Sequence, residues 1–276
     1  MADIFEFKDS GSMREDIKEL RKKLAEKLSE RDELIYTTCE NIKMKYMVEI
    51  GYLEYKLYNL SITYQRLKRK KELIQAKLYR KDRISLADIE ELLEKEFEEY
   101  KRKLRERLKE VDDALKRSEG KFLSDEETKT LKEMYMAVVK RLHPDLNPHA
   151  SKEEMDLFMK AVNAYKLGDI ETMKLIFEVT GEAGEGDFPK TILELAEEIS
   201  RLEALIMKVE LDMEGIKHSF PYNLKVYLDD EKLKRERQAQ LRKDIKLFQE
   251  AIDNIIDEIQ KLMGKRDDSE SESESK

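Results

Sequence analysis

Apolar residues recur in steps of three and four along most of the chain, and this period constrains the fold more than any other feature. The clearest stretch runs from Ile192 to Ile216, and another runs from Leu241 to Leu262. Such steps place one narrow apolar seam along an α-helix and leave its other faces polar. Only 9 glycines and 4 prolines interrupt the 276 residues. The sequence therefore predicts an all-α protein made of long helices.

The charge content agrees with long, exposed helices. Charged side chains make up 42% of the residues, against roughly 25% in an ordinary globular domain. A helix that buries one seam can carry charge on the rest of its circumference, so this composition favours coiled-coil-like pairing over one large core. The net charge of −8 argues against nucleic-acid binding by the chain as a whole.

Breaks in the apolar period predict six segments. They are a flexible N-terminus at 1–11, an N-terminal helical hairpin at 12–120, a compact helical unit at 121–179, a linker at 180–190, a C-terminal helical hairpin at 191–264 and a disordered acidic tail at 265–276. In the N-terminal hairpin a short connection joins two apolar stripes, which favours antiparallel packing. In the C-terminal hairpin a connector that contains Pro221 joins two further stripes. Thr37, Thr38 and Gly51 weaken the first stripe and are predicted bends.

The segment 121–179 has the pattern of capped helices around a proline loop. Ser124 stands at capping-box spacing from Glu127, and Ser151 at the same spacing from Glu154. Between these helices the chain reads Arg141-Leu142-His143-Pro144-Asp145-Leu146-Asn147-Pro148. Pro144 cannot continue a helix, because it lacks an amide hydrogen and its ring clashes with the preceding turn. The first helix of this segment is therefore expected to end just before Pro144.

This segment resembles the J-domain, the module of the DnaJ family, over residues 122–178. The resemblance begins with the tripeptide His143-Pro144-Asp145 at the end of a basic amphipathic helix. The other matching positions are Tyr135, Val138, Lys140, Arg141, Phe158, Ala164 and Tyr165. In that family the module is not an enzyme: it binds an ATP-dependent chaperone of the DnaK type and stimulates its ATP hydrolysis.

The resemblance implies a co-chaperone whose basic helix docks on an acidic surface of the ATPase, while the His-Pro-Asp loop contacts the junction between its nucleotide and substrate domains. The partner-binding residues expected on this basis are His143, Pro144, Asp145, Lys140, Arg141, Lys132, Lys129 and Asn147. The helical arms would bind a protein client, fix the location of the protein or form a homo-oligomer. We expect no catalytic residues, no cofactor and no metal.

Two departures from the family pattern leave a second interpretation open. Met136 and Ala137 stand where the family carries a basic pair, and residues 108–123 lack the family's short first helix. The end of the preceding helix, near Leu108 to Leu115, is expected to take over the packing role of that helix. In the second interpretation the tripeptide only turns the chain, and the protein is a structural coiled-coil scaffold or oligomerisation protein with a non-stimulating J-like module.

A basic run between Arg66 and Arg83 is the other concentration of charge. It is interpreted as a solvated helix face balanced by acids between Glu90 and Glu99, with binding to an anionic surface as the alternative. Four tyrosines on the same helix are expected to serve seam packing more than partner binding; they are Tyr52, Tyr55, Tyr58 and Tyr64.

The remaining features favour an intracellular protein without a metal site. The single Cys39 excludes an intrachain disulfide, and no cysteine and histidine stand at metal-ligand spacing. His149 and His218 are expected at the surface. The start of the chain lacks the pattern of a signal peptide, and no segment reaches the ~20 apolar residues of a membrane span. A cytoplasmic location is therefore expected.

Overall fold

The computed structural model describes residues 9–119, 123–180 and 191–274, and the regular elements in these ranges are helical without exception. The α-helices are α1 (Ser10–Glu33), α2 (Glu40–Tyr46), α3 (Tyr52–Arg80), α4 (Leu86–Glu96), α5 (Glu98–Glu119), α6 (Asp125–Leu142), α7 (Lys152–Leu167), α8 (Ile170–Thr180), α9 (Ile192–His218), α10 (Lys225–Asp229) and α11 (Glu231–Glu274). The predicted all-α class is confirmed.

Two π-helical turns occupy the places where bends were predicted. The turn Leu34–Cys39 lies between α1 and α2, and the turn Met47–Gly51 lies between α2 and α3. Thr37 and Thr38 fall in the first turn, and Gly51 closes the second. These residue types weaken α-helical geometry, and a π turn takes up an extra residue while the backbone stays helical. The weak positions therefore widen the helix locally.

The helices form two compact units, each made from two stretches of the chain. The first unit comprises Met1–Ile42 and Lys121–Asn223, and the second comprises Lys43–Gly120 and Leu224–Lys276. This grouping divides both hairpins that were predicted at 12–120 and 191–264. The physical reason is that an apolar period identifies the buried face of a helix without specifying which other face covers it.

The first unit has one apolar core built from all of its long helices. In it α1 packs along α9, and α6 packs against α1, α7 and α8. The fully buried residues include Ile17, Leu24 and Leu28 of α1, Tyr135, Val138 and Leu142 of α6, and Leu195 and Leu202 of α9. The segment that was predicted as a separate compact unit at 121–179 therefore shares its core with α1 and α9.

Both capping boxes predicted for the first unit are confirmed. The Ser124 hydroxyl accepts a hydrogen bond from the Glu127 amide at 3.2 Å, and the Ser151 hydroxyl accepts one from the Glu154 amide at 3.2 Å. In each pair the glutamate carboxylate accepts in return from the amide of the serine. These bonds satisfy amide groups at the helix start that have no partner within the helix.

In the second unit, α11 packs along α3, and α4 and α5 also pack against α3. Ile62, Ile74 and Leu93 are central to one apolar cluster of this unit, together with half-buried residues of α11. A sharp turn separates α3 from α4, with Lys81 in the left-handed conformation at φ 55°. The Ser85 hydroxyl caps α4 by accepting from the Asp88 amide at 3.3 Å.

The ends of the predicted segments differ in part from the expectations. Helix α1 begins at Ser10 with Asp9 as its cap, so only residues 1–8 of the predicted flexible N-terminus remain undescribed. The predicted linker lies outside the described residues except Thr180, which ends α8. Helix α11 continues to Glu274, although disorder was predicted for 265–276. Extending an existing helix needs one residue per added hydrogen bond, which is far easier than nucleating a new helix.

Within the described ranges, no helix combines the length and the apolar content that a membrane span requires.

Candidate functional site

The His-Pro-Asp segment forms a turn that is bonded back onto the end of α6. The His143 amide donates to the Val139 carbonyl at 3.0 Å, and the His143 carbonyl accepts from the amides of Leu146 at 3.0 Å and Asn147 at 2.9 Å. The Asn147 side-chain amide donates to the Lys140 carbonyl at 3.4 Å. These bonds satisfy carbonyls that the end of a helix leaves open. The loop therefore has a defined conformation relative to α6.

The His143 imidazole is buried, with 6% of the residue exposed. Its Nδ1 accepts from the Asp145 amide at 3.1 Å, and its ring meets the Phe158 ring edge to face at a centroid distance of 5.2 Å. Desolvation lowers the pKa of His143 below its ordinary value of 6.5, although the nearby Asp145 and Asp32 carboxylates oppose this shift. The ring is therefore neutral at pH 7, and since Nδ1 is the acceptor, the proton lies on Nε2.

Asp145 is connected to α9 through its backbone and presents its side chain at the surface. Arg201 Nη1 donates to the Asp145 carbonyl at 3.0 Å. The same guanidinium forms a two-point ion pair with Glu198 at 2.7 and 3.0 Å, and Glu198 also accepts from Arg21 of α1 at 3.2 Å. The Asp145 side chain stays 40% exposed. The chain of bonds from α1 through α9 fixes the loop backbone and leaves the carboxylate accessible.

Burial and ion pairing act in opposite directions on the pKa of Glu198. Burial raises the pKa of the Glu198 carboxyl, but hydrogen bonds and positive charge from Arg201 and Arg21 lower it by more. The resulting pKa lies below the ordinary value. Glu198 is therefore ionised at neutral pH and keeps Arg201 in position beside the loop.

A polar contact in the core joins α6 to α1. The Tyr135 hydroxyl donates to the buried Asp32 carboxylate at 2.5 Å, and the other oxygen of that carboxylate accepts from Arg31 at 2.9 Å. The Tyr135 ring stacks on Tyr165 of α7 at 4.2 Å with an interplanar angle of 11°. Burial raises the pKa of Tyr165 to about 12 and that of Tyr135 further still. Both hydroxyls are therefore neutral at pH 7.

The cations predicted for docking separate into two groups. Lys140 and Arg141, in the last turn of α6 beside the loop, are exposed. Lys132, by contrast, donates to the Glu33 carboxylate of α1 and is half-buried. Lys129 is exposed and lies 4.0 Å from Glu133. The C-terminal end of α6 therefore carries two exposed cations beside the loop, Lys140 and Arg141.

The packing role expected for residues 108–115 is wrong. These residues belong to α5 of the second unit, where Val111 is buried. Helix α1 instead packs against α6, and Leu24 and Leu28 of α1 belong to the same core cluster as the buried residues of α6. Residues 108–115 and α1 both carry apolar residues at seam spacing. The sequence-based prediction chose 108–115 because this stretch lies nearer to α6 in the chain. The correct partner lies about a hundred residues away in the chain, which no local pattern could identify.

Asp32 and Arg201 are structural residues of the site that the sequence reasoning missed. Asp32 had a detectable signal, because it continues the four-residue row of Leu24 and Leu28 and is followed by Tyr36 at the same spacing. A carboxylate in an apolar row indicates a buried polar partner. Arg201 had no such signal, since it looks like any charged residue on the polar side of a seam.

The first part of the basic run, between Arg66 and Lys71, is largely neutralised by acids, as the solvated-face interpretation expected. Arg66 pairs with Glu90 at 2.5 Å and with Glu94 at 3.1 Å, and Lys70 also pairs with Glu90 at 2.6 Å. Arg69 pairs with Glu96 at 3.0 Å, and Lys71 pairs with Glu258 of α11 at 2.7 Å. The arrangement links α3 to its neighbours within the second unit.

The remaining candidate residues are two histidines and the cysteine. His149 and His218 are exposed, and Cys39 is 4% exposed within the first π turn. Burial raises the pKa of the Cys39 thiol, so the thiol is unreactive in this environment. The described part of the chain holds no group of three or more histidine, cysteine or acidic side chains arranged to bind a metal.

The tyrosines of α3 take different environments. Tyr64 meets Phe248 of α11 edge to face at 5.9 Å, and the Arg107 guanidinium lies 4.4 Å above the Tyr58 ring. Tyr52 is 54% exposed. Seam packing therefore accounts for some of these tyrosines and not for Tyr52.

Comparison of the chain with protein-family models, with curated proteins and with solved structures found no match.

Proposed function

We propose that the protein is a J-domain-like co-chaperone, in which the end of α6 and the following loop dock on a DnaK-type ATPase and stimulate its ATP hydrolysis. The observation that carries the proposal is that the His-Pro-Asp loop has a fixed conformation while side chains on it and in the preceding turn remain accessible. Pro144 and the Asp145 side chain remain partly exposed, and Lys140 and Arg141 are exposed in the preceding turn.

Each element of the loop has a physical role in this proposal. Lys140 and Arg141 attract an acidic surface over a distance and orient the encounter. The Asp145 carboxylate accepts a charge-assisted hydrogen bond from a cation of the partner. Neutral His143, packed on Phe158, holds the turn from inside. Because the loop is ordered before binding, little conformational entropy is lost when the complex forms.

In this role the protein is an adaptor and not an enzyme, since the chemical step takes place on the partner. The long helices outside the loop supply surface for a protein client or for placement. We place this activity in the cytoplasm, in keeping with one reduced cysteine.

The test is the steady-state ATPase rate of a DnaK-type chaperone with and without the full chain. We expect stimulation by the native chain and a loss of about tenfold or more in stimulation with Asp145→Asn, because one charge-assisted hydrogen bond contributes about 1.5–3 kcal/mol. This substitution leaves the backbone carbonyl that Arg201 holds. Asp156→Asn is the matched control, because it makes the same chemical change at an exposed residue of α7. This variant is expected to keep full stimulation.

No stimulation by the native chain, or equal stimulation by Asp145→Asn, would overturn the proposal. The second candidate is a structural scaffold whose J-like loop only connects helices. It is favoured by the burial of His143 and by the use of Lys132 in an ion pair with Glu33. A scaffold predicts a stable homo-oligomer by light scattering and an unchanged phenotype of Asp145→Asn in the cell.

A further inference from the structure

The turn between α3 and α4 carries exposed basic and apolar side chains next to one another in the sequence. We call residues Lys77 to Leu86 the α3–α4 tip. Tyr79 is 92% exposed and Leu86 is 43% exposed. Arg80, Lys81 and Arg83 are exposed as well. An aromatic ring exposed to this degree at a helix end has no packing role within the unit.

The charge of the tip differs from that of the basic residues just before it. Within the tip four cations face one acid, Asp82, which lies 3.9 Å from Lys77. Among the described residues, Arg80, Lys81 and Arg83 have no acidic partner within ion-pair distance. About two to three turns before Lys77, four cations are paired with acids of α4 and α11: Arg66, Arg69, Lys70 and Lys71. The basic run therefore consists of a first part that acids neutralise and a tip that keeps an excess of positive charge.

We propose that the α3–α4 tip binds the surface of an anionic lipid bilayer, independently of the co-chaperone function. Lysine and arginine near such a surface are attracted by its negative potential. Tyrosine suits the boundary between headgroups and hydrocarbon, because its ring is apolar and its hydroxyl can remain hydrated. Leu86 adds an apolar group beside these cations.

Nucleic acid fits the same tip less well. Proteins that bind duplexes through the backbone commonly make about 6–10 phosphate contacts, and the tip offers four cations. An exposed leucine gains nothing from phosphate groups but gains from transfer into the interfacial region of a bilayer. The combination of few cations with exposed aromatic and aliphatic groups therefore favours a peripheral, salt-sensitive contact with lipid.

The test is co-sedimentation of the full chain with lipid vesicles. One set contains phosphatidylcholine alone, and the other contains phosphatidylcholine with about one third phosphatidylserine. We expect binding to the anionic vesicles only, weakening as salt rises from low to physiological concentration. Arg80→Glu with Arg83→Glu should weaken binding about 25-fold or more, since each cation near an anionic bilayer strengthens binding about fivefold. Tyr79→Ser should weaken it without any change in charge.

The matched control is Lys232→Glu with Arg235→Glu at the start of α11. These side chains are 85% and 81% exposed, and the control changes the net charge of the protein by the same amount. It should keep most of the binding. The proposal is overturned if the two double variants lose binding equally, if neutral vesicles bind as well as anionic ones, or if a DNA oligonucleotide binds more tightly than the anionic vesicles.

Discussion

His143 is a buried polar side chain whose protonation opposes folding. Its ring lies against Phe158, and its Nδ1 already accepts the Asp145 amide. A proton on Nδ1 would break that hydrogen bond and place a charge in an apolar environment. The residue that ends α6 is therefore also a point at which acid weakens the loop.

The pKa of His143 is lowered by folding, so the unfolded chain binds this proton more tightly. The stability that neutral His143 contributes is complete above the ordinary pKa of 6.5 and is lost as the pH falls below it. Urea unfolding of the native chain should therefore lose stability between pH 7.5 and 5.5. We expect a smaller change for His143→Gln over the same range, and a native-like change for the exposed His149→Gln. Parallel pH profiles for the native chain and His143→Gln would contradict this assignment.

At the scale of single helices, local chemistry predicted the starts and stops well. Ser124 and Ser151 cap the helices expected of them, and α6 ends just before Pro144. These features depend on neighbours within four residues, so the sequence contains all the information they need. The π turns were less predictable, because Thr37 and Gly51 indicate weakness in the helix without specifying how the backbone responds.

Alanine substitution at two glycines of the first unit is predicted to change the free energy of unfolding in opposite directions. Gly168 ends α7 with φ 68°, a conformation that costs a residue with a side chain about 1–2 kcal/mol. Gly215 lies inside α9, and an added methyl group there would meet no atom within 4 Å. We expect Gly168→Ala to lower the free energy of unfolding by about 1 kcal/mol and Gly215→Ala to raise it by about 1 kcal/mol. Shifts of the same sign in urea denaturation would contradict this reasoning.

At the scale of the whole molecule, the main feature is that each unit is built from two separate stretches of chain. Helices α1 and α9 have clear seams in the sequence, but the seams pair with each other across about 180 residues. Nothing in a three-four period identifies such a partner, and for this reason the predicted hairpins differ from the observed grouping. The candidate loop was identifiable from its residues, whereas its supports Asp32 and Arg201 depend on that long-range pairing.

The shared core predicts that the segment 123–180 does not fold by itself. A fragment of residues 123–180 lacks Ile17 and Leu24, and it leaves Tyr135 without its Asp32 acceptor. We expect this fragment to unfold without a cooperative transition in thermal circular dichroism. A chain joining 1–42 to 121–223 through a flexible linker restores the whole first unit and should unfold cooperatively. A sharp transition in the short fragment would show that α1 and α9 are dispensable.

The buried Cys39 makes the native chain suitable for measuring local opening. It is the single thiol of the protein, and it lies inside the π turn that follows α1. A thiol reagent can modify it only while that turn is transiently open, because the closed state hides the sulfur and disfavours the thiolate. At high reagent concentration the rate of modification becomes equal to the rate of opening. The rate of Cys39 modification in the unaltered protein therefore measures how fast the end of the helix that supports the His-Pro-Asp loop opens.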